Sequence, residues 1–262
     1  MNILERIISN KIKEVAAARQ LRTIPVLEAM ENFGRPTYSL KKFLLDENRT
    51  GIIAEFKRRS PSKGVINDAV SIEEVTGAYA SNLASGISVL TDKEFFGGNL
   101  EDLLMARKNQ LPLLRKDFII DEYQVIEAKA FGADVILLIA ACLDKSRIND
   151  LANLARSLGL EIVFEIHNEK ELHKIPANAD IVGINNRDLT SFSQDIQTSF
   201  DLVNKIPASS IAVSESGISN IETIVSLRKA GFKGFLIGEN FMKHASPAVA
   251  FADFVKQLKA KK

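Results

Sequence analysis

Residues 133–166 read ADVILLIAACLDKSRINDLANLARSLGLEIVFEI and follow the pattern of a strand, a helix and a second strand. The run ADVILLIA is almost continuously apolar, which is typical of a parallel strand that is covered on both faces. The stretch DKSRINDLANLARSLG predicts a helix, and Gly159 stands where a glycine commonly follows a helix end. EIVFEI then predicts the next strand. The segment therefore predicts a β-α-β unit, the building block of a parallel sheet.

The same pattern recurs along most of the chain. Helices are predicted between the apolar runs, with Ser71 as an N-cap and with Gly132 and Gly231 as terminating glycines. The eight apolar runs begin 20 to 34 residues apart, which leaves room for a strand, a crossover helix and two loops. They are GIIAEF from Gly51, SGISVLT from Ser85, LPLLRKDF from Leu111, ADVILLIA from Ala133, EIVFEI from Glu161, IVGINN from Ile181, IAVSES from Ile211 and GFLIGE from Gly234.

Eight such units predict an α/β fold, a single (β/α)8 TIM barrel domain over residues 1–262. Residues 1–48 are predicted to form extra N-terminal helices, because Ile3, Ile7 and Val15 recur at helical spacing between charged residues. The alternative is a doubly wound open sheet. It is disfavoured because no GxGxxG or GxxxxGK[ST] motif follows the first predicted strand.

The composition narrows the classes of function. The 262 residues include 34 Lys and Arg against 33 Asp and Glu, so the basic surplus that is usual for a nucleic-acid binder is lacking. The one cysteine, Cys142, excludes an internal disulfide, and three histidines leave little for a metal site. No run approaches the ~18 apolar residues of a membrane span. We therefore expect a cytoplasmic protein that acts without nucleic acid, membrane or a required protein partner.

Polar residues stand at the ends of the predicted strands, where barrel enzymes build their active sites. A carboxylate such as Glu165, at the end of an apolar strand, needs a cationic partner, and either Lys57 or Lys116 could supply it. Each of these residues alone could belong to a structural ion pair or be a solvated surface charge. Their common position at strand ends predicts that they form one charged cluster. Residues two apart in a strand point the same way, so the two members of each of three pairs share one face of their strand. The pairs are Glu55 with Lys57, Asn185 with Arg187, and Ser214 with Ser216.

Glycines near the last two strands indicate a phosphate site. Ser216 and Gly217 follow strand seven and Gly238 ends strand eight. The loops after these strands frequently bind phosphate through backbone N–H groups in such barrels. Residues 60–64, SPSKG, add hydroxyls and a cation after strand one. An ordinary turn is the alternative for each, but the combination predicts phosphate binding under a mobile cover formed by residues 60–64.

Several motifs in order resemble the indole-3-glycerol-phosphate synthase family, and the similarity extends from the N-terminal helix to strand eight. The most specific is IAEFKRRSPSKG at residues 53–64. The others are SVLTD from Ser88, FFGG from Phe95, LRKDF from Leu114, GINNRDL from Gly183 and ESGI from Glu215.

This resemblance implies closure of an indole ring on 1-(2-carboxyphenylamino)-1-deoxyribulose 5-phosphate, with loss of carbon dioxide and water, in tryptophan biosynthesis. It implies no metal and no organic cofactor. Attack of an aromatic carbon on a ketone needs an acid at the carbonyl oxygen, and loss of water needs a second proton donor. Loss of carbon dioxide needs the carboxylate to be held and a cationic intermediate to be stabilised.

The resemblance also implies roles for individual residues. Lys116 is the general acid at the carbonyl, and Glu165 handles the proton of the dehydration step. Lys57 holds the substrate carboxylate or serves as the acid of dehydration, while Glu55 orients the lysines or stabilises charge. The other implied residues are Asn185, Arg187 and Ser216 in the polar wall, Phe95, Phe118 and Leu137 on the anthranilate ring, and Ser60, Gly217, Gly238 and Glu239 at the phosphate.

Two positions depart from the family pattern. Ser214 stands where alanine is usual, and Glu239 would bring a carboxylate close to the phosphate, which it repels. Two other functions stay open. One is a Schiff-base aldolase in which Lys116 is the nucleophile. The other is a non-catalytic barrel that binds a phosphorylated metabolite.

Overall fold

The computed structural model of the protein describes residues 2–189 and 191–261, and Met1, Thr190 and Lys262 lie outside that description. Eight parallel strands pair in chain order and close on themselves, because the first strand bonds to both the second and the eighth. The prediction of a (β/α)8 barrel is confirmed. The strands are β1 Ile52–Phe56, β2 Gly86–Leu90, β3 Leu113–Lys116, β4 Val135–Ile139, β5 Glu161–Ile166, β6 Ile181–Asn185, β7 Ile211–Glu215 and β8 Gly234–Ile237.

Helices alternate with the strands and pack around the barrel. They are α1 Ile3–Leu21, α2 Ile24–Glu28, α3 Leu40–Leu45, α4 Ile72–Ser81, α5 Lys93–Phe96, α6 Leu100–Ala106, α7 Glu122–Ala130, α8 Lys145–Ser157, α9 Gln197–Leu202, α10 Ile221–Lys229, α11 Glu239–Met242 and α12 Pro247–Lys259, with 3-10 turns at Glu169–Lys174 and Val203–Lys205. In the part of the chain that the structure describes, no helix has both the length and the apolar composition needed to cross a membrane.

Capping residues begin and end these helices where the sequence predicts. The Ser71 side chain accepts a hydrogen bond from the backbone N–H of Glu74 at the start of α4. Gly132, Gly159 and Gly231 follow α7, α8 and α10 with φ of 87°, 74° and 109°. Glycine adopts this left-handed conformation without a Cβ clash, which lets the chain turn back into the next strand.

Side chains along each strand alternate between the barrel interior and the helix layer. The interior holds an apolar cluster that includes Ile53, Leu114, Val163 and Val213. Two residues further along the same strands, the same inward direction is taken by charged side chains, Glu55, Lys116, Glu165 and Glu215. The apolar plug of the barrel thus ends in a layer of buried charge at the carboxyl ends of the strands.

The N-terminal helix α1 lies against this charged end, and its Ile3 and Ile7 help to line the cavity there. Lys11 on α1 is buried, and its Nζ lies 2.8 Å from Asp92 and 2.9 Å from Asp117. The two carboxylates follow β2 and β3. The extra helix is therefore fastened to the mouth of the barrel by a buried ammonium group.

The chain after β1 forms a short antiparallel hairpin, in which Arg59–Ser60 pairs with Gly64–Val65. The sequence predicted a turn or a mobile cover at this place. The base of the hairpin is tied to the helix layer, because the Arg58 guanidinium donates to both carboxylate oxygens of Asp102. The segment therefore has strand pairing of its own above the barrel mouth.

Candidate active site

A cavity of about 280 Å³ opens at the carboxyl ends of the strands. All but one of the site residues proposed from the sequence line it, and the exception is Phe95. Those in the wall are Glu55, Lys57, Ser60, Lys116, Phe118, Leu137, Glu165, Asn185, Arg187, Ser216, Gly217, Gly238 and Glu239.

Lys116 ends β3 and is held between two carboxylates. Its Nζ lies 2.6 Å from Glu165 Oε2 and 2.6 Å from Glu215 Oε2. Burial alone lowers the pKa of Lys116, but Glu165, Glu215 and Glu55 outweigh burial and raise the pKa above its ordinary value. Lys116 is therefore an ammonium group at neutral pH. Of the two lysines that the sequence offered as the partner of Glu165, the structure places this one at hydrogen-bond distance.

The two carboxylates beside Lys116 differ in their proton affinity. Burial raises the pKa of Glu165, but Lys116 and His167 outweigh it, so this carboxyl ionises below its ordinary range. For Glu215, burial and the neighbouring Glu165 carboxylate prevail over Lys116, and the pKa is raised. The pair therefore offers one carboxylate that stays ionised and one carboxyl that retains a proton more readily, a division of roles suited to acid and base work.

Sequence reasoning missed Glu215. It is 1% exposed and points into the barrel like Val213, two residues before it. The signal was the alternation of β7, in which Ile211, Val213 and Glu215 share one face. A second signal was Gly183 on the neighbouring strand, where a Cβ would collide with the Glu215 carboxylate.

The prediction that Ser214 shares the inner face with Ser216 is wrong. Ser214 points into the helix layer, where its Oγ lies 3.1 Å from Asn186 Nδ2 and 2.8 Å from Ser199 Oγ. Ser216 does line the cavity, although strand alternation is not the reason. Its φ of 66° takes it out of the extended conformation, so the side chain turns back toward the mouth.

Glu55 and Lys57 form the second charged pair of the wall, as their spacing predicts. Lys57 Nζ lies 2.8 Å from Glu55 Oε1, and the Ser88 hydroxyl lies 3.4 Å from Glu55 Oε2. Gly238 packs directly on this carboxylate, since a Cβ there would lie 2.7 Å from Glu55 Oε1. The glycine that directly follows β8 is thus required for the packing of Glu55, beside any contact that it makes with a ligand.

An apolar wall faces the charged cluster. Phe118 and Leu137 line it, as the sequence predicted, but the phenylalanine of α5 that does so is Phe96 rather than Phe95. Phe95 packs against the barrel's central apolar cluster, as Phe96 also does, but it does not line the cavity. The rings of Phe96 and Phe118 lie 6.2 Å apart between centroids and are tilted by 36°, and together they offer an apolar surface to an aromatic ring.

The outer rim of the cavity is polar. Arg187 Nη1 donates a hydrogen bond of 2.9 Å to Ser62 Oγ, and Arg187 Nη2 lies 3.5 Å from Glu239 Oε2. Lys63 Nζ approaches the other oxygen of Glu239 at 3.8 Å. The Glu239 carboxylate thus lies between two cations that link the hairpin after β1 to the loops after β6 and β8. Gly217, in the same rim, has a φ of 75°.

The closed barrel and the lysine held between carboxylates at its carboxyl end define an enzyme of the (β/α)8-barrel class. Within residues 2–189 and 191–261, no group of three or more His, Cys, Asp or Glu side chains is placed to hold a metal ion.

The fold is similar to that of 3-hexulose-6-phosphate synthase from Salmonella typhimurium, with a TM-score of 0.62 at 12% identity over 80% of this chain and 99% of that one. It is also similar to a chain of the tryptophan synthase complex from Pyrococcus furiosus, with a TM-score of 0.59 at 19% identity over 80% and 97% of the two chains.

The chain belongs to the indole-3-glycerol phosphate synthase family, whose model matches residues 4–254. The indole-3-glycerol phosphate synthase of Bacteroides thetaiotaomicron is 46% identical over 258 residues, which is 98% of this chain and 99% of that protein. The enzyme of the same name from Laribacter hongkongensis is 40% identical over 260 residues, covering 96% and 98% of the two chains. The resemblance drawn from the motifs is confirmed.

Proposed function

We propose that the protein converts 1-(2-carboxyphenylamino)-1-deoxyribulose 5-phosphate into indole-3-glycerol phosphate, carbon dioxide and water. The observation that carries this proposal is the Lys116 ammonium, fixed 2.6 Å from both Glu165 and Glu215 in the wall of the cavity. Ring closure needs a proton at a ketone oxygen while a carbon nucleophile attacks, and a charged, preorganised lysine meets that need. Residues 1–262 would act as one barrel domain.

The first half of the reaction forms the carbon–carbon bond. The aromatic carbon that bears the carboxyl group attacks the ketone, and Lys116 gives the oxygen a proton, so that an alcohol and an iminium form. Lys57, with its Nζ 2.8 Å from Glu55 Oε1, holds the substrate carboxylate until the bond to it breaks. The electron pair of that bond then neutralises the iminium as carbon dioxide leaves.

The second half removes water. The new hydroxyl leaves with a proton from Lys57, driven by the ring nitrogen's electron pair, and loss of one carbon-bound proton completes the indole. Glu165 takes that proton, because its lowered pKa keeps it ionised and able to accept. Asn185 lies in the polar wall, where its Oδ1 accepts from the Arg187 backbone N–H at 3.0 Å, and it would orient the hydroxyl.

The electrostatics of Lys116 favour this chemistry over that of a Schiff-base aldolase. A Schiff-base lysine must lose its proton to act as a nucleophile, and enzymes achieve this by depressing its pKa. Burial works in that direction at Lys116, but three carboxylates outweigh it and raise the pKa. The group is thus kept protonated, so that it can donate to an oxygen on which negative charge develops, and it lacks the free electron pair needed to attack a carbonyl carbon.

The two ends of the cavity suit the two ends of the substrate. Phe118 and Leu137 would pack on the anthranilate ring, with Phe96 beside them. Arg187 and Ser216 would contact the polar chain between the two ends. The phosphate would be bound at the rim by Ser60 and by backbone groups at Gly217, Gly238 and Glu239.

The test is fluorescence-detected formation of indole-3-glycerol phosphate by the purified protein, with a chelator present because we expect no metal or cofactor to be needed. Lys116→Gln should abolish turnover while circular dichroism shows an intact fold. Lys108→Gln is the matched control, since Lys108 is exposed and pairs with Glu73 away from the cavity. Absence of product from folded protein would overturn the proposal, and borohydride trapping of a substrate adduct on Lys116 would favour the aldolase.

We also infer that the reaction takes place in the cytoplasm and without a protein partner, nucleic acid or membrane.

A further inference from the structure

His167 lies against Glu165 at the end of β5, yet it is not among the described residues that line the cavity. Its side chain is 7% exposed. The ring nitrogen Nε2 lies 3.2 Å from Glu165 Oε1, and Nδ1 lies 3.3 Å from Glu171 Oε2. The imidazole is therefore enclosed between two carboxylates, and only one of them belongs to the active site.

The outer carboxylate is fixed in place by the turn that carries it. Glu171, in the 3-10 turn Glu169–Lys174, accepts the backbone N–H of His167 at 2.8 Å and the Asn168 amide at 3.1 Å. The imidazole consequently has a fixed support on one side. On its other side Glu165 turns one oxygen to the ring and the second oxygen to Lys116 Nζ at 2.6 Å. Glu171 in the turn therefore positions the imidazole ring, and the ring in turn contacts the Glu165 carboxylate in the cavity.

The surroundings favour the charged form of this ring. A neutral imidazole has one N–H and can donate to only one of the two carboxylates, whereas an imidazolium can donate to both. Burial lowers the pKa of His167, but Glu165 and Glu171 outweigh it and raise the pKa to about 9. The same two carboxylates also act on the Cys142 thiol, whose pKa is raised by burial and by both of them. Lys174, which interacts with that thiol, is bound to the Ala140 and Leu143 carbonyls.

We propose that His167 is a positioning residue whose imidazolium holds the Glu165 carboxylate ionised and turned toward Lys116 and the cavity. The inference rests on the proposed function, in which Glu165 accepts the proton of the dehydration step. Without the ring's charge, Glu165 Oε1 loses its cation and the carboxylate is free to rotate. Proton transfer should then slow, because it depends on placement, while substrate contacts are unchanged. The effect is expected on kcat rather than on KM.

The first test is the titration of the imidazole signals by NMR, which needs no substrate. The sequence has three histidines, and the two others, His173 and His244, are exposed. One signal should stay protonated to about pH 9 and be missing from the His167→Gln spectrum. Titration of the His167 signal near the ordinary histidine value of about 6.5 would overturn the proposal.

The second test compares the kcat of the wild type with that of His167→Gln across pH. The wild type should be about tenfold faster at pH 7, with KM within about twofold. Because the pKa of His167 is raised, the imidazolium charge is present at lower pH and is lost as the pH rises through that pKa. The ratio of wild-type kcat to His167→Gln kcat should therefore fall toward one above about pH 9. A ratio near one at pH 7, or a ratio that stays constant to pH 10, would mean that the charge plays no part.

Two controls separate this inference from the proposed function. His173→Gln removes an exposed histidine of the same turn and should leave kcat and its pH dependence unchanged. Glu171→Gln retains an oxygen for the His167 N–H, and it should lower the NMR titration point of His167 even if His167→Gln fails to fold. Wild-type protein that forms no indole product would defeat the proposed function. Normal wild-type turnover with an unaltered His167→Gln variant would defeat only the role of His167.

Discussion

Gly183 on β6 and Glu215 on β7 share one space inside the barrel. A Cβ on Gly183 would collide with Glu215 Oε1 and would lie 3.0 Å from Val163 Cγ1. The missing side chain therefore makes the room through which the Glu215 carboxylate reaches Lys116. A glycine within a buried strand weakens that strand, and here its presence is explained by the carboxylate that it admits.

Gly183→Ala is expected to push Glu215 away from Lys116 and to disturb both stability and catalysis. Overpacking of this kind should lower the free energy of unfolding by about 1–3 kcal/mol, measured by chemical denaturation. Turnover should fall by about tenfold or more, since a misplaced catalytic group loses its geometry. Gly34→Ala is the control, because a Cβ there meets no atom within 4 Å. Wild-type turnover in Gly183→Ala would show that the position of Glu215 does not matter.

The barrel could be predicted from the sequence because its strands are covered on both faces and therefore appear as continuous apolar runs. The same property hides the direction of side chains. In β7, Ala212 and Val213 are both buried, so composition does not reveal whether Ser214 or Glu215 points inward. Alternation groups Glu215 with Ile211 and Val213, but which of the two faces points inward is decided by the register with β6 and β8.

Other parts of the site depend on geometry that spacing does not encode. Phe95 and Phe96 are adjacent in the single-turn helix α5, and which ring faces the cavity depends on how that turn sits on the barrel. His167 carries no signal of its own in the sequence. It becomes noticeable only where the chain folds Glu171 back against it, four residues later.

Ser214→Ala is expected to lower stability without affecting turnover. The Ser214 hydroxyl is fully buried and hydrogen-bonded to Asn186 and Ser199, so its removal leaves these polar groups short of a partner. The free energy of unfolding should fall by about 1–2 kcal/mol. Turnover should remain within about twofold of wild type, because the hydroxyl faces the helix layer. A large loss of turnover at full stability would contradict this placement. A double-mutant cycle with Ser199→Ala should show that the two losses are not additive.

Lys11→Met tests how firmly α1 is fastened to the barrel mouth. The buried Asp92 and Asp117 carboxylates lose their shared ammonium group, and breaking a buried ion pair on one side costs about 3–5 kcal/mol. Turnover should also fall, because Asp117 directly follows Lys116 in the chain. Lys13→Met is the control on the exposed side of the same helix. Equal unfolding free energies for the two variants would show that the buried cluster contributes nothing.

The Asp117 carboxylate should make stability sensitive to acid. Burial raises the pKa of Asp117, but Lys11 and Arg115 outweigh it and place the pKa below the ordinary value of 3.8. Because the pKa is lower in the folded protein, the ionised Asp117 stabilises the fold at every pH above 3.8. As the pH falls below 3.8 toward the pKa of the folded protein, this stabilisation is lost. The free energy of unfolding of the wild type should therefore decrease below about pH 5. Asp117→Asn should be less stable at pH 7 and should lose less between pH 5 and pH 3. Parallel curves for the two proteins would exclude Asp117 as a cause.

Glu239 is expected to weaken substrate binding, because its carboxylate pairs with the two cations, Arg187 and Lys63, that could otherwise attract the substrate phosphate. Its oxygens lie 3.5 Å from Arg187 Nη2 and 3.8 Å from Lys63 Nζ at the rim of the cavity. Glu239→Gln keeps the shape and the backbone N–H but removes the charge, so KM should fall about threefold or more with kcat unchanged. The gain should shrink at high salt, since charges at this partly exposed rim are screened. Glu73→Gln, which removes a carboxylate remote from the cavity, controls for net charge. A higher KM in Glu239→Gln would mean that the carboxylate helps to organise the rim, and the phosphate would then have to bind elsewhere in the cavity.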